Sequence, residues 1–313
     1  MSRVSVIGAG AWGTALALHC HRLGHEVALW ARRPARIGRE NPRLPGFALP
    51  EGVRIVAELP PADCALVAVP MQHLRETLRA LLPAAPLVLC CKGIETGSGD
   101  LPLEVAGAVL AGMPACVLTG PNFAHEIAAG LPAASVLAGG DALLRARLIG
   151  QLAGPTFRLY GNDDAVGAQL GGAAKNVVAV AAGAVTGAGL GENARAALIT
   201  RGLAEIGRLA VALGGRAETV AGLSGLGDLV LTCTGPQSRN FSLGLGLGRG
   251  VPLTELLPED GPVVESVATA PALLTRGGDL DLPIMRAVAD LLAGRLTLSD
   301  AMARLLSRPL KNE

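Results

Sequence analysis

Residues 3–34 read RVSVIGAGAWGTALALHCHRLGHEVALWARRP and contain one complete folding unit. A short β-rich run, Val4 to Ile7, is followed by glycines in a GxGxxG spacing and then by an apolar-periodic helix that extends to about Leu23. Gly24 ends this helix, and Glu26–Trp30 forms a second strand. The pattern predicts a strand–glycine turn–helix–strand unit, the beginning of an α/β, Rossmann-like domain.

Three glycines, Gly8, Gly10 and Gly13, give this unit a specific chemistry. In a dinucleotide-binding turn the first glycine allows the tight bend and the second lets the backbone approach a pyrophosphate. The third lets the helix pack against the strand. Backbone amides at the start of the helix then face the phosphates. The spacing and the flanking strands together predict a binding site for a dinucleotide such as NAD or NADP.

The segment after the second strand bears on which dinucleotide is bound. A site for NAD usually places an Asp or Glu there to hold the ribose 2′-hydroxyl. This chain has Arg32 and Arg33 at that point and no carboxylate. Either these are solvated loop arginines, or they form a cationic site for the 2′-phosphate of NADP. The missing acid favours the second interpretation.

Apolar runs that alternate with helical segments continue through the amino-terminal half. They predict strands at 63–70, 86–93, 115–121, 133–139 and 156–161, and their continuous hydrophobicity is typical of a mainly parallel sheet covered on both faces. Ligands bind at the carboxyl ends of such strands. Three strand ends carry candidate residues: Pro70-Met71, Lys92-Gly93 and Gly120-Pro121-Asn122. The Lys92 ammonium lies either at the surface or in the cofactor crevice, and the residues alone favour neither position.

Strand patterns end at Asp163, and the remaining chain is predicted to be helical. Helices are expected over 164–188, 192–213, 216–223, 253–257, 262–275, 283–293 and 297–306, the last of them capped by Thr297. Because Pro155 and Gly161 flank the final strand, we place the domain boundary at 161. The expected domains are an NAD(P)-binding domain, residues 1–161, and an all-α substrate and catalytic domain, residues 162–313.

The first predicted helix of the second domain contains an unusual lysine. In GGAAKNVVAVAAGAV, residues 171–185, every side chain around Lys175 and Asn176 is small and apolar. The lysine could snorkel to water at the helix end, and this stretch alone favours that interpretation. The alternative is a lysine held in a low-polarity pocket, where desolvation lowers the pKa of an ammonium and makes it a candidate acid–base catalyst.

The segment GLSGLGDLVLTCTGPQSRNFSLG, residues 222–244, contains the other polar candidates. Asp228 follows a glycine-rich turn, where its side chain either caps a helix or holds a lysine in position. Ser238, Arg239 and Asn240 place a hydroxyl, a guanidinium and an amide in succession. Arginine is suited to bidentate capture of a phosphate, but in isolation this tripeptide is more typical of a surface turn.

Composition argues against several classes of function. The 313 residues carry a formal net charge of +1, which gives no support to binding of nucleic acid or of a membrane surface through bulk charge. The six cysteines include no CxxC pair and the five histidines no HExxH spacing, so we expect core thiols and no metal site. Glycines interrupt the apolar stretches at the N-terminus and around Lys175. We therefore expect a soluble cytoplasmic protein without membrane insertion.

Seven segments together resemble the bacterial-type NAD(P)-dependent glycerol-3-phosphate dehydrogenases. They are GAGAWGTALA (8–17), CKGIE (91–95), TGPNFAHEIAAG (119–130), GGAAKNVVAVAAG (171–183), ENARAALITRGLAEIGRL (192–209), GLSGLGDLVLTCTGPQSRN (222–240) and VVES (263–266). They follow the family's order and span nearly the whole chain. The resemblance implies a homodimeric oxidoreductase that interconverts sn-glycerol 3-phosphate and dihydroxyacetone phosphate with NAD(P)(H), mainly in the reductive direction for phospholipid synthesis.

The resemblance also implies roles for single residues. Lys175 would donate and accept the proton at C2 of the substrate, Asp228 would orient it, and Lys92 would touch both cofactor and substrate. The implied substrate contacts are Lys92, Gly120, Asn122, Lys175, Asp228, Ser238, Arg239 and Asn240. Beside the three glycines of the turn and Arg33, the implied cofactor contacts are Ala11, Trp12, Arg32, Lys92, Ala124, Arg239, Val263 and Glu265. NADP(H) is favoured over NAD(H), and no metal is implied.

The chain departs from the family pattern at three positions near these residues. The family usually has Ser or Thr where Asn122 stands, often Lys where His125 stands, and a bulkier residue where Ala174 precedes the lysine. Two alternatives stay open. One is another dehydrogenase of the same architecture, acting on a β-hydroxyacid or a ketopantoate-like substrate, although such enzymes lack the combination of GLGDL and SRN. The other is a non-catalytic NADP sensor, which would be expected to have lost Lys175, Asp228 or Lys92.

Overall fold

The computed structural model describes residues 1–258 and 263–309, and its contacts divide the chain into two compact units. The first unit consists of Met1–Lys92 and Asp100–Gln169. The second unit consists of Gly93–Gly99 and the chain from Leu170 onward. The segment directly after Lys92 therefore belongs to the helical unit, although its neighbours in sequence belong to the first.

The first unit is built on one eight-stranded sheet. Its strands are β1 Arg3–Ile7, β2 Glu26–Trp30, β3 Val53–Val56, β4 Cys64–Val67, β5 Leu87–Leu89, β6 Ala115–Thr119, β7 Ala133–Ala138 and β8 Phe157–Asn162. Their order is β3-β2-β1-β4-β5-β6-β7-β8, and every neighbouring pair is parallel except β6 and β7. The predicted mainly parallel sheet is confirmed. The sequence pattern did not indicate that β7 runs antiparallel to β6.

Helices cover the sheet on both faces. They are α1 Ala11–Arg22, α2 Leu74–Leu81, α3 Pro102–Val109, α4 Ala124–Ala129 and α5 Ala142–Leu152. Consecutive side chains of a strand point to opposite faces, and all residues of Val4–Ile7 and Cys64–Val67 are buried. Both faces are therefore shielded from water, which is why these strands have continuous rather than alternating hydrophobicity.

Strand β3 was missed by the sequence analysis. It lies at the edge of the sheet and pairs with β2, with Val53 opposite Val27. Its sequence is VRIV, in which Arg54 is exposed and only Val53 is buried. A short edge strand with a single buried residue offers no apolar run from which it could be predicted.

Among its described residues, the regular secondary structure of the second unit is helical. Its helices are α6 Ala165–Gly187, which begins within the first unit, α7 Glu192–Ala212, α8 Ala217–Ala221, α9 Asp228–Cys233, α10 Arg239–Gly248, α11 Leu253–Leu256, α12 Glu265–Gly277, α13 Pro283–Leu292 and α14 Leu298–Leu306. The predicted helices, including the capping of α14 by Thr297, are confirmed. Residue 262, where the helix over 262–275 was predicted to begin, lies outside the described residues.

Helices α9 and α10 were not predicted, because glycines are frequent around them and lower helix propensity. The glycines instead permit close packing between α6 and α10. A Cβ at Gly244 would lie 1.9 Å from the carbonyl oxygen of Val180, and a Cβ at Gly183 would lie 2.1 Å from that of Phe241. Tertiary contact between the two backbones outweighs the low propensity.

Candidate cofactor and acid–base sites

The glycine turn between β1 and α1 is dictated by sterics. Gly8 has a φ of +111°, and a Cβ there would lie 2.9 Å from the carbonyl oxygen of Ala68. A Cβ at Gly13 would lie 1.9 Å from the carbonyl oxygen of Gly8, whereas one at Gly10 would meet nothing within 4 Å. The first and third glycines are therefore required by the turn itself, and the space beside Gly10 is open to a ligand.

Helix α1 begins directly after this turn. Ala11 and Trp12 lie in its first turn and are half-buried, and this turn contains no acidic side chain. The backbone amides of a first helical turn have no partner inside the helix and carry the positive end of the helix dipole. The turn and the helix together fit the pyrophosphate of a dinucleotide, which they would bind through backbone donors.

Arg32 and Arg33 lie in the loop that follows β2, and both are exposed. Among residues 1–258 and 263–309, neither guanidinium forms an ion pair with a carboxylate. Two exposed cations that form no ion pair in the described part of the chain fit a phosphate better than a ribose diol. The cationic site for the 2′-phosphate of NADP stays a prediction.

A second cluster lies at the carboxyl ends of β5 and β6, the edge at which a parallel sheet binds ligands. Lys92 Nζ donates to the carbonyl oxygen of Gly120, at 2.9 Å. Gly120 has a φ of +143°, and a Cβ there would lie 3.0 Å from the Cα and Oγ of Ser135. Asn122 Nδ2 donates to Ser135 Oγ, at 2.5 Å, and to the Gly120 carbonyl oxygen, at 3.3 Å. The structure thus brings together Lys92, Gly120 and Asn122.

Helix α4 starts immediately after this cluster, with Ala124 as its first residue. The ring of the next residue, His125, stacks on that of Phe123, with the centroids 5.8 Å apart and the planes at 17°. The side chain of His125 is 52% exposed. The aromatic stack holds His125 at the surface.

In the second unit, the Lys175 ammonium is buried and does not snorkel to water. Its side chain is 9% exposed, and that of Asp228 is 1% exposed. Lys175 Nζ donates to Asp228 Oδ1, at 2.5 Å, and to Thr232 Oγ1, at 2.6 Å. The Thr232 hydroxyl in turn donates to the backbone carbonyl of Asp228, at 2.6 Å. Of the two interpretations of Asp228, the structure supports the one in which it holds the lysine.

A π-helical turn, Leu223–Gly227, delivers Asp228 to this position. A Cβ at Gly225 would lie 2.0 Å from the carbonyl oxygen of Val220, and a Cβ at Gly171 of α6 would lie 2.8 Å from that of Ser224. The glycines of GGAAKN and GLSGLGD therefore let α6 and the π-helical turn come into backbone contact. Because Asp228 begins α9 directly after this turn, its carboxylate reaches Lys175 across the junction.

Ser238, Arg239 and Asn240 form the start of helix α10 rather than a surface turn. Ser238 Oγ accepts the Phe241 N–H, at 3.2 Å, and so caps the helix. Asn240 is buried; its Nδ2 donates to Asn176 Oδ1, at 3.1 Å, and its Oδ1 accepts the Ser266 N–H, at 3.2 Å. Asn240 thereby joins three helices, α6, α10 and α12.

Arg239 is exposed, and its guanidinium donates to the carbonyl oxygen of Val263. Val263 is 44% exposed and precedes Glu265, the first residue of α12. The structure therefore brings together two of the three cofactor contacts implied for this unit, Arg239 and Val263, and places Glu265 next to them in sequence.

Thr232, which accepts a hydrogen bond from Lys175, was not among the predicted site residues. Its contact with Lys175 depends on helix α9, which the sequence pattern does not predict.

Three further findings concern the rest of the chain. All six cysteines are free and five are buried, as core thiols would be, and burial raises the pKa of Cys233 to about 12. In the part of the chain that the structure describes, no group of three or more His, Cys, Asp or Glu side chains could hold a metal ion. Helix α6 is long and apolar enough to cross a membrane, but 83% of its most apolar window is buried inside the protein, as in the core helix of a globular protein.

Comparisons with known proteins agree over the whole chain. The amino-terminal profile of the NAD-dependent glycerol-3-phosphate dehydrogenase family matches residues 3–144, and the carboxy-terminal profile matches residues 164–303. A glycerol-3-phosphate dehydrogenase (NAD(P)+) of Acidiphilium cryptum is 56% identical over 318 residues, covering 99% of this chain and 98% of the relative. The protein of the same name from Gluconobacter oxydans is 51% identical over 318 residues, with coverage of 99% and 98%.

A solved structure leads to the same family. The crystal structure of glycerol-3-phosphate dehydrogenase from Coxiella burnetii has a TM-score of 0.92 and 37% sequence identity to this chain, and covers 98% of this chain and 99% of its own. Its similarity extends through the sheet and the helical part alike. The chain therefore belongs to the NAD-dependent glycerol-3-phosphate dehydrogenase family.

Proposed function

We propose that this protein is an oxidoreductase that interconverts sn-glycerol 3-phosphate and dihydroxyacetone phosphate with NAD(P)(H). The observation that carries the proposal is the buried ion pair between Lys175 and Asp228, in a chain of this family that also has a dinucleotide turn. Reduction of a ketone requires a proton donor in a fixed position, and an ammonium held by a buried carboxylate meets that requirement. The enzyme works mainly toward glycerol 3-phosphate, which it supplies for phospholipid synthesis.

Residues 1–161 bind the dinucleotide in this proposal, and residues 162–313 form the substrate and catalytic domain. The cofactor contacts are Gly8, Gly10, Ala11, Trp12, Gly13, Arg32, Arg33, Lys92, Ala124, Arg239, Val263 and Glu265. Backbone amides of the turn and of α1 bind the pyrophosphate. Arg32 and Arg33 bind the 2′-phosphate, so NADP(H) is favoured over NAD(H).

When bound, the nicotinamide ring supplies the hydride to C2 of dihydroxyacetone phosphate. Negative charge develops on the C2 oxygen as the carbonyl is reduced, and Lys175 Nζ gives this oxygen its proton. Asp228 and Thr232 orient the ammonium through the two hydrogen bonds that it donates to them. In the oxidative direction, Lys175 takes the proton from the C2 hydroxyl of glycerol 3-phosphate.

The substrate phosphate is assigned to Arg239. This exposed guanidinium lies at the start of α10, where the positive end of the helix dipole adds to its positive potential. Lys92, Gly120, Asn122, Ser238 and Asn240 complete the proposed substrate contacts. Ser238 and Asn240 also hold Arg239 in place, because both are engaged in the hydrogen bonds that fix the start of the helix.

The same observations bear on the alternatives. The Lys175–Asp228 pair supports a catalyst over a non-catalytic NADP sensor, because a sensor has no need of a buried proton donor. Membership of the glycerol-3-phosphate dehydrogenase family argues against a β-hydroxyacid or ketopantoate dehydrogenase. We further propose a homodimer located in the cytoplasm that acts on a small-molecule substrate, without nucleic acid and without membrane insertion.

The test is an assay of the purified full chain with dihydroxyacetone phosphate and either NADPH or NADH, in which loss of the reduced-nicotinamide absorbance is followed. The proposal expects oxidation with dihydroxyacetone phosphate and little with unphosphorylated dihydroxyacetone or with ketopantoate. Turnover of ketopantoate in preference to dihydroxyacetone phosphate would favour the alternative dehydrogenase. Binding of NADPH without turnover of any of the three substrates would favour the sensor.

A further inference from the structure

One buried side chain, Asn41, fastens the loop between β2 and β3 to the glycine turn. Asn41 is 0% exposed. Its Nδ2 donates to the carbonyl oxygen of Ala9, at 3.0 Å, and to Thr14 Oγ1, at 2.6 Å. Its Oδ1 accepts the Arg43 N–H, at 3.0 Å. Both hydrogens of the amide and one lone pair of its oxygen are thus used inside the protein.

The partners of Asn41 determine which way its amide faces. A carbonyl oxygen only accepts hydrogen bonds and a backbone N–H only donates, so Nδ2 faces Ala9 and Oδ1 faces Arg43. Neither aspartate, which lacks the two donors, nor serine, which has a single donor, could form the same three bonds. The position therefore requires an amide of this length.

Two partners of Asn41 belong to the proposed phosphate site. Ala9 lies between Gly8 and Gly10 in the turn. Thr14 lies in α1, is 0% exposed, and donates its N–H to the carbonyl oxygen of Gly10, at 2.9 Å. Asn41 therefore contacts the backbone that would approach a pyrophosphate, from a position that no ligand can reach.

The loop fastened in this way is the one that carries Arg32 and Arg33. At one end the loop is fixed by β2, which finishes at Trp30. Beyond the arginines it is fixed by Asn41, and then by Leu44 and Leu49, which are 4% and 5% exposed. The loop is thus held on both sides of two exposed arginines.

The separation between the glycine turn and the two arginines matters if a single NADP molecule binds to both. The pyrophosphate and the 2′-phosphate of NADP are separated by a fixed number of bonds, so the glycine turn and the arginines must keep a matching separation. Groups held in place before binding cost less to order when the ligand arrives. NAD lacks the 2′-phosphate and does not depend on this separation.

Resting on the proposed function, we propose that Asn41 is a positioning residue for NADP(H). It does not touch the nucleotide. It holds the loop of Arg32 and Arg33 in register with the glycine turn, and so contributes to the preference for NADP(H) over NAD(H).

The test measures the dissociation constants of NADPH and NADH for the full chain by titration of nicotinamide fluorescence. Asn41→Ala is expected to raise the constant for NADPH about tenfold and that for NADH at most about threefold, because it removes all three hydrogen bonds of a buried side chain near the turn. When Arg32 and Arg33 are both replaced by alanine, adding Asn41→Ala should leave the ratio of the two dissociation constants unchanged, since the arginine side chains that Asn41 positions are absent.

Two further variants serve as controls. Asn162 Oδ1 accepts the Asp164 N–H, at 2.8 Å, as Asn41 Oδ1 accepts the N–H of Arg43, two residues further along the chain. Asn162 lies in β8, at the opposite edge of the sheet from β3. Asn162→Ala should leave both constants unchanged. Thr14→Val keeps the shape of the side chain and removes one acceptor of Asn41, so it should lower the preference for NADPH by a smaller factor. Should Asn41→Ala fail to fold, Thr14→Val decides the question.

If Asn41→Ala raises the dissociation constants of NADPH and NADH by the same factor, their ratio is unchanged. That result would overturn the inference and leave Asn41 a structural residue. If Arg32→Ala/Arg33→Ala itself does not change the ratio, both the arginine assignment and the inference are wrong. A wild-type protein that binds NADPH but does not reduce dihydroxyacetone phosphate contradicts only the proposed activity, because the ratio is measured by binding.

Discussion

Lys175 Nζ and Asp228 Oδ1 lie 2.5 Å apart, on side chains that are 9% and 1% exposed. Removing two charges from water is costly, and such a pair is stable only when each charge is compensated by the other and by further hydrogen bonds. Thr232 supplies one of these, at 2.6 Å from the same Nζ. The ammonium is therefore fixed in position by groups that are themselves fixed, which is what a proton donor for a stereospecific reduction needs.

Asp228→Asn removes the compensating charge while keeping the shape of the side chain. We expect a slower turnover than in the wild type, but a smaller loss than on removal of the lysine, because an orienting group is lost rather than the proton donor. Breaking a buried pair also costs about 3–5 kcal/mol of stability. Steady-state kcat and chemical unfolding of the same preparation check both effects.

The matched control for Asp228→Asn is Asp290→Asn. Asp290 is 19% exposed and pairs with Arg295, at 2.8 Å, and with Arg304, at 3.8 Å, but these two arginines are 62% and 65% exposed. Exposed pairs contribute about 0–1 kcal/mol, so this variant should lose little stability and no activity. Equal effects of the two substitutions would mean that the Lys175–Asp228 pair has no special role.

Replacing Arg32 and Arg33 with alanine should raise the KM for NADPH and leave that for NADH nearly unchanged. The reason is that only the 2′-phosphate distinguishes the two molecules, and both arginines are exposed in the loop beyond β2. Initial rates with each cofactor at saturating substrate give the two values. A similar increase for both cofactors would place the arginines at a part of the molecule that NADH and NADPH share.

Arg239→Lys tests the assignment of the substrate phosphate. Lysine keeps the charge but lacks the planar pair of donors that grips two phosphate oxygens. We expect the KM for dihydroxyacetone phosphate to rise about tenfold, equivalent to about 1.4 kcal/mol. Some loss of NADPH affinity is expected as well, because Arg239 is also a proposed cofactor contact.

The comparison that decides this prediction uses unphosphorylated dihydroxyacetone. If Arg239 holds the phosphate, the substitution should leave kcat/KM for this poor substrate almost unchanged. An equal penalty on both substrates would show that Arg239 is not the phosphate anchor.

We expect Glu205 to make the stability of the second unit depend on pH. Its carboxylate, on α7, is buried and accepts the N–H groups of Ile284 and Met285 at the start of α13, at 2.7 and 3.0 Å. Burial raises the pKa of Glu205 from its ordinary 4.5 to about 7, against the lowering effect of these two hydrogen bonds. Between these pH values the folded protein holds a proton that the unfolded chain has lost, so stability falls as the pH rises from about 4.5 through 7.

Glu205→Gln removes this titration and should flatten the loss of stability between pH 5 and pH 8. Chemical unfolding at the two pH values measures the difference in stability, of which Glu205 contributes at most roughly 3 kcal/mol in the wild type. Glu218 is exposed, and Glu218→Gln serves as the control. It should leave the pH dependence of the stability as it is in the wild type. A Glu205→Gln protein as pH-sensitive as the wild type would contradict the assignment.

Local patterns were sufficient to predict most of the fold. The glycine spacing at Gly8, Gly10 and Gly13 and the continuous apolar runs determine the dinucleotide turn and the parallel strands, because both depend on residues near each other in sequence. Strand β3 and helices α9 and α10 were missed for the opposite reason. Pairing at a sheet edge and packing against α6 stabilise them, and neither leaves a local periodic pattern.

The site was less predictable from the residues alone. Around Lys175 the apolar sequence favoured a snorkelling side chain, because its partner Asp228 lies 53 residues away. Only the resemblance to a family linked the two. Asn41 illustrates the same limit: its hydrogen bonds to Ala9 and Thr14 span 32 and 27 residues, and an isolated asparagine in a loop indicates neither.

If Lys175 transfers the proton at C2, the Lys175→Met substitution should lower kcat. Methionine has a similar length and no ionisable group, so we expect kcat with dihydroxyacetone phosphate and NADPH to fall by roughly 10²–10⁴-fold. The dissociation constant of NADPH, measured by titration on the same preparation, should stay within about twofold of wild type, which would show that the nucleotide site is intact. A variant that binds NADPH normally and keeps half of the wild-type kcat would contradict the account, because the buried ammonium would then serve structure alone.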